Sequence, residues 1–227
     1  MARSIFNSID NLSLQDLESE ADLIPLMSTE DEEALENEVL PDTVPILPLR
    51  NTVLFPGVVI PITAGRDKSI QLIKDANKGD KIIGVVAQRN ESIENPGPND
   101  IYNLGTVAQI LRVLKMPDGN TTIIIQGKKR FTIKSIVEEK PYLKAQIEPV
   151  DEALPKKNDK EFLATIDSIK DLALQIIQEN PNIPSEASFA IKNIQTPSFL
   201  INFVSSNMNV SVKEKQQILS EVSLHQR

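Results

Sequence analysis

Pro48-Leu49-Arg50-Asn51-Thr52-Val53-Leu54-Phe55-Pro56 connects two short β-branched runs, residues 44–49 and 58–63. Proline has no amide hydrogen, so Pro45, Pro48, Pro56 and Pro61 would break the ladder of a central strand. The first two strands are therefore expected at sheet edges or with bulges. Outward from this stretch, the same β-branched pattern bounded by turn residues predicts strands over 82–88, 106–115, 121–126, 130–137 and 143–149. Met116-Pro117-Asp118-Gly119-Asn120 reads as a hairpin turn, in which proline pre-sets φ and glycine accepts a positive one. Residues 66–78 read as a helix with Ile70, Ile73 and Ala76 on its buried side, closed by Gly79 as a left-handed cap. Asn95-Pro96-Gly97-Pro98 is a rigid loop.

All eight glycines lie between Gly57 and Gly127, and beyond them the period changes. Phe162, Ile166, Ile169, Ala173 and Ile176 recur at steps of three and four, the spacing of one helix face. Asn158 with Glu161 predicts a capping box at its start, and Asn180-Pro181 its end. Helices are also predicted over 185–194, over 197–205 with Thr196 as cap, and from the box Ser211-x-x-Glu214 onward. The apolar stripe of this last helix still runs at Leu224, from which truncation of a longer helix is expected. The expected divisions are an acidic, disordered extension over 1–42, a β domain over 43–150 and a helical subdomain over 151–227.

Charge separates the first of these from the rest. Residues 1–42 carry a net −11, whereas residues 43–227 carry +3. Such self-repulsion opposes compaction of the extension. With no cysteine, disulfides, thiolate metal sites and a cysteine nucleophile are excluded, and the single His225 argues against a histidine triad or metal cluster. It reads as a solvated residue on a terminal helix. No segment has the length and apolarity of a membrane-crossing helix, and Asp10 and Asp16 argue against a targeting peptide, so a cytoplasmic location is expected.

The opening stretch, followed in order by Pro61-Ile62, Gly65-Arg66, Ser69-Ile70, Val86-Ala87-Gln88, Gly105-Thr106-Val107-Ala108-Gln109-Ile110, Pro117-Asp118-Gly119 and Gly127-x-x-Arg130-x-x-Ile133, resembles the N-terminal domain of Lon proteases. Residues 43–150 carry the likeness, with departures at Asn51, where the family has an acid, and Ile62, where leucine is usual. The resemblance implies an α+β chain, with a small, mostly antiparallel, barrel-like (PUA-like) β domain followed by helices. It implies a non-catalytic part of an ATP-dependent Ser–Lys endopeptidase that recognises unfolded or tagged proteins and supports a homohexamer. ATP and Mg2+ are implied for an ATPase module beyond this chain. A free-standing interaction adaptor and an RNA-binding PUA-like module are the alternatives, the second because residues 43–150 hold 15 basic and 10 acidic side chains.

No catalytic, cofactor or metal residues are expected within the chain itself. Gly127-Lys128-Lys129 is the nearest approach to a phosphate-binding loop. It lacks the first glycine and the terminal hydroxyl, and reads as a turn with solvated lysines. Glu138-Glu139 and Asp151-Glu152 read as charged surface, and Lys128 to Lys134 as a solvated strand face with Phe131 turned inward, the family likeness implying a structural pair for Arg130. What remains is recognition by apolar groups held in loops. Met116 and Pro117 at the hairpin, with Leu54, Phe55 and Pro56 in the first connection, are the candidates. For Phe55 a plug into the barrel core is the stronger reading, and for Met116 core and contact weigh equally.

Overall fold

The computed structural model describes residues 38–116, 119–156, 159–180 and 186–227. Six strands form β1 (Thr43–Leu49), β2 (Val59–Ala64), β3 (Ile82–Ala87), β4 (Leu104–Lys115), β5 (Thr121–Glu138) and β6 (Lys144–Pro149). Five helices form α1 (Asp67–Lys78), α2 (Lys160–Glu179), α3 (Glu186–Asn193), α4 (Pro197–Asn207) and α5 (Val212–Ser220). The sheet runs β2-β5-β4-β3-β1-β6, and β6 pairs again with β5. Five strands thus close on themselves, and β2 hangs from the first third of β5. Only the β1–β3 pair is parallel.

Length explains the closure. β5, at 18 residues, pairs Thr121–Gln126 with β2 and continues far enough to pair Phe131–Glu138 with β6. Two separate strands with a turn at Gly127 are expected from the sequence, but that glycine lies within one strand and is bonded on both sides. Its amide donates to the Val58 carbonyl at 2.9 Å and its carbonyl accepts from Gly57 at 2.9 Å. A β-carbon there would sit 2.3 Å from the Phe55 carbonyl oxygen, so glycine is needed for the close approach. Phe55-Pro56-Gly57-Val58 itself is a tight turn with Gly57 at φ 78° and the Val58 amide donating to Phe55.

The prolines act as expected on β2 and differently on β1. β2 is an edge, paired with β5 alone. β1 is interior, but it takes its neighbours in succession, β6 through Thr43–Pro45 and β3 through Ile46–Leu49. Each proline therefore meets a ladder on one side only. Alternation sends Val44 and Ile46 into the barrel with Val107, Phe131 and Ala145, and Leu47 and Leu49 to the opposite face, beneath Leu72 and Ile73 of α1. Gly79 closes α1 at φ −99°, not left-handed, and the positive φ falls on Lys81 at 63°.

A third apolar cluster joins sheet and helices, combining Val53, Phe55, Val58 and Ala87 with Phe162, Ile166, Ile191, Phe199, Leu200 and Leu219. α2 is capped by Asp159, whose side chain accepts from the Phe162 amide at 3.1 Å, one residue later than expected; Asn158 lies outside the described residues. α4 begins with Pro197 after Thr196, which makes no capping side-chain bond to the helix, and α5 has the expected Ser211–Glu214 box. α5 stops at Ser220, and the chain then lies against residue 153, with Leu224 buried and His225 exposed beside the Phe162 ring. The acidic extension over 1–37 lies outside the described residues. Its continuation enters the fold through Leu40, packed on the barrel cluster, and Glu38, 3.3 Å from the Lys128 ammonium.

Candidate functional site

β2 runs along one side of a groove of about 850 Å3. The end of β1 and the residue after it supply Pro48 and Arg50, β2 supplies Pro61, Ile62 and Thr63, and the start of α1 supplies Arg66, Asp67, Lys68 and Ser69, with Glu94 and Asn95 completing the lining. Alternation along β2 leaves Pro61 and Thr63 exposed while Ile62 is half-buried against the core under α1. Among the described residues nothing pairs with the outer edge of β2, which leaves its outward backbone amides available except at Pro61. A smaller cavity of about 90 Å3 shares Pro48, Arg66, Lys68 and Ser69 and continues toward Tyr142.

One wall of the groove is electrostatically fixed. The Arg66 guanidinium donates to the Gln88 side-chain oxygen at 2.5 Å. Gln88 is 4% exposed and is itself anchored, its amide nitrogen donating to the carbonyls of Asn90 at 3.3 Å and Ile93 at 2.9 Å. Burial, and then the neighbouring Arg50, push Arg66 down from the usual guanidinium value, while Glu94 pulls the other way.

The residues favoured from sequence sit elsewhere. Leu54 and Phe55 are 2% and 0% exposed, Leu54 in the core under α1 and Phe55 in the layer beneath the helices, so neither offers surface. Phe55 is a plug, between barrel and helices and not inside the barrel. The Leu54 carbonyl accepts from the buried Thr106 hydroxyl at 2.7 Å, which holds the connection against β4. Pro56 is half-buried in its turn. Met116 is half-buried at the expected hairpin, its amide donating to the Asn120 carbonyl at 2.9 Å, and Pro117 lies outside the described residues. None of the four that are described lines the groove. The groove residues are legible in part: Pro61 signals the free edge of β2, but only the fold brings Arg50, Arg66 and Glu94 together.

The basic run of β5 is a solvated face at Lys134, which is exposed, but not at Lys128, Lys129 and Arg130. Lys128 and Lys129 approach Glu38 and Asp151 at 3.3 and 2.9 Å, and Lys134 approaches Glu148 at 3.7 Å. Arg130 is 2% exposed and donates to the carbonyls of Leu219 and Glu221 at 2.9 and 2.7 Å. Glu152, expected as charged surface, faces both Arg130 at 3.6 Å and Arg227 at 2.9 Å. Burial first, then Arg227, push Arg130 down to about 10 against the pull of Glu152 and Glu221. A nucleotide does not fit at Gly127-Lys128-Lys129, because a phosphate cradle needs free backbone amides in a loop before a helix, and here the backbone is engaged within a strand. Among the described residues, no group of three or more histidine, cysteine or carboxylate side chains is placed to hold a metal, and no helix is long and apolar enough to cross a membrane.

The profile of the ATP-dependent protease La (LON) substrate-binding domain matches residues 43–227. The Lon protease of Flavobacterium johnsoniae is 67% identical over 220 residues, covering 97% of this chain and 27% of that protein. That of Cytophaga hutchinsonii is 50% identical over 198 residues, covering 87% and 24%. The chain thus spans about a quarter of the length of these relatives. Among solved structures, the N-terminal domain of Mycobacterium avium complex Lon protease superposes with a TM-score of 0.65 at 24% identity, covering 81% of this chain and 92% of that one, a likeness of fold. With the match extending over the barrel and all five helices, the chain belongs to the LON substrate-binding domain family.

Proposed function

We propose that this chain is the client-recruiting N-terminal part of a cytoplasmic ATP-dependent Lon protease, and that it holds unfolded polypeptide in the groove beside β2. One observation carries the reading: stretches separated in sequence, Pro48-Leu49-Arg50, Pro61-Ile62, Gly65-Arg66 and Ser69, converge on a single groove that borders an unpaired strand edge. Strand addition suits such a partner, since main-chain bonds are indifferent to sequence and shallow apolar walls accept many side chains. The chain itself cuts no peptide bond. In the longer protein, a separate ATPase module holds ATP and Mg2+, a third module carries the Ser–Lys pair, and six copies ring the entrance through which damaged or tagged proteins are drawn.

The test is binding of a chemically unfolded model protein to three forms of the chain. Thr63→Lys places a charge on the exposed edge and is expected to weaken binding at least tenfold, as edge lysines block strand pairing; it also removes the 2.9 Å bond between the Thr63 and Thr122 hydroxyls, so a thermal melt checks that the variant is folded. Met116→Asp is expected to bind as the parent does. Unaltered affinity in a folded Thr63→Lys protein would sink the groove, and a loss confined to Met116→Asp would move recognition to the hairpin.

A further inference from the structure

We propose that the groove selects among extended apolar segments by a carboxylate side chain, an aspartate or glutamate received by Arg50 and Arg66; this rests on the client-binding reading of the groove. The arrangement of charge on the molecule motivates it. Lys128, Lys129, Arg130, Lys134, Lys144 and Arg227 each face a carboxylate within 4 Å. Arg50, Arg66 and Lys68 face none at that distance among the described residues, nor do other cations such as Lys74 and Arg89, but these three share one groove, whose lining also carries Asp67 and Glu94.

Arg66 is held, but by a neutral partner. Gln88 fixes the guanidinium through one nitrogen and leaves its charge and its other donors unused. Arg50 adds a second positive charge near enough to oppose the first, and Glu94 offsets it only in part. A carboxylate placed between two guanidiniums removes that repulsion and accepts charge-assisted hydrogen bonds, which are stronger than neutral ones. Pro48, Pro61 and Ile62 give the groove an apolar wall against which apolar side chains of the ligand can rest. A side chain is favoured over a chain end because the groove continues past Arg66 into the cavity toward Tyr142, so a bound chain runs on where a terminus would stop.

The experiment measures fluorescence anisotropy of labelled ten-residue peptides, acetylated and amidated, that alternate valine and threonine around one central glutamate or glutamine. The glutamate peptide is expected to bind about tenfold tighter, the scale of one hydrogen bond to a charged group. Added salt should shrink that advantage. Arg66→Gln should abolish the advantage, bringing the glutamate peptide to the affinity of the glutamine peptide, with a thermal melt confirming that the variant folds despite the lost bond to Gln88. Since Arg66 begins α1, Arg50→Gln serves as a second variant should the first fold poorly. Equal affinity for the two peptides overturns the proposal, as does an advantage that survives in both variants. So does a glutamine peptide with a free terminal carboxylate that matches the glutamate one, which would mark a chain-end site. If unfolded protein binds and the peptides are not told apart, only the acid preference fails; if neither unfolded protein nor peptide binds, the client-binding reading fails with it.

Discussion

Arg130 and Glu152 show how one side chain can tie distant parts of a chain together. Strand alternation places Arg130 on the face opposite Phe131, and this much is legible in the sequence. That the face is covered by the end of α5 is not, because the contacting groups are the carbonyls of Leu219 and Glu221, which carry no residue signature. Glu152 sits between two guanidiniums, and its other oxygen accepts from the Ser198 hydroxyl. Its removal should therefore cost more than that of either arginine. Glu152→Gln leaves Arg130 and Arg227 opposed in a buried place, at a cost of roughly 3–5 kcal/mol. Arg130→Met deprives the Leu219 carbonyl of its donor but relieves that opposition, and the Glu221 carbonyl keeps Arg227 at 2.7 Å, for a cost of about 1–3 kcal/mol. Urea unfolding of the two variants gives the order; the reverse order would mean that Arg130 acts as a lone anchor and not as part of a balanced cluster.

The elements were easiest to read where caps or turns punctuate them and hardest where a strand runs on without punctuation. Gly127-Lys128-Lys129 has turn composition and so predicts a break in β5, whereas its glycine serves a close backbone approach. On α2 the stripe is right through Ala173, but Ile176 is 59% exposed and Ile177 packs against the core. At 3.6 residues per turn, a three-residue step from Ala173 drifts off the face and a four-residue step keeps to it. α5 was legible because its box is local. The Ser211 hydroxyl accepts from the Glu214 amide at 3.2 Å, and the Glu214 carboxylate accepts from the Ser211 amide at 2.9 Å and from its hydroxyl at 2.6 Å. These bonds from Ser211 hold the Glu214 carboxyl below its usual range. A depressed carboxylate contributes stability above its unfolded pKa and loses it as pH falls through the folded one. Ser211→Ala should cost about 1 kcal/mol at neutral pH. Thermal melts at pH 7 and pH 3 should show the gap from the parent narrowing in acid; a constant gap would mean that the reciprocal bond from Glu214 adds nothing.

Across the whole molecule, the change in composition after Gly127 announces the helices, but it does not announce how the two halves share a core. Phe55 has no exposure, yet the side chains around it come from Val53 and Val58 on one side and from α2, α4 and α5 on the other. Gln216 of α5 reaches the Leu104 carbonyl of β4 at 2.9 Å, and Arg130 reaches the end of the same helix. A single cooperative transition is expected for residues 38–227. Residues 43–150 produced alone should behave otherwise, because Phe55, Val58 and Ala87 would meet water and Arg130 would lose its carbonyls. The loss of Phe55 burial alone compares with a Phe→Ala substitution, about 3–5 kcal/mol, a large part of the stability of a domain this size. The isolated barrel should bind a hydrophobic dye and melt well below the full chain, and Phe55→Ala in the full chain should lower its melting temperature in the same direction. An isolated 43–150 that melts as high as the parent, without dye binding, would show that the helices are a passenger on a self-sufficient barrel. The groove beside β2 could then be studied on that barrel alone, since every residue that lines it lies before Pro96.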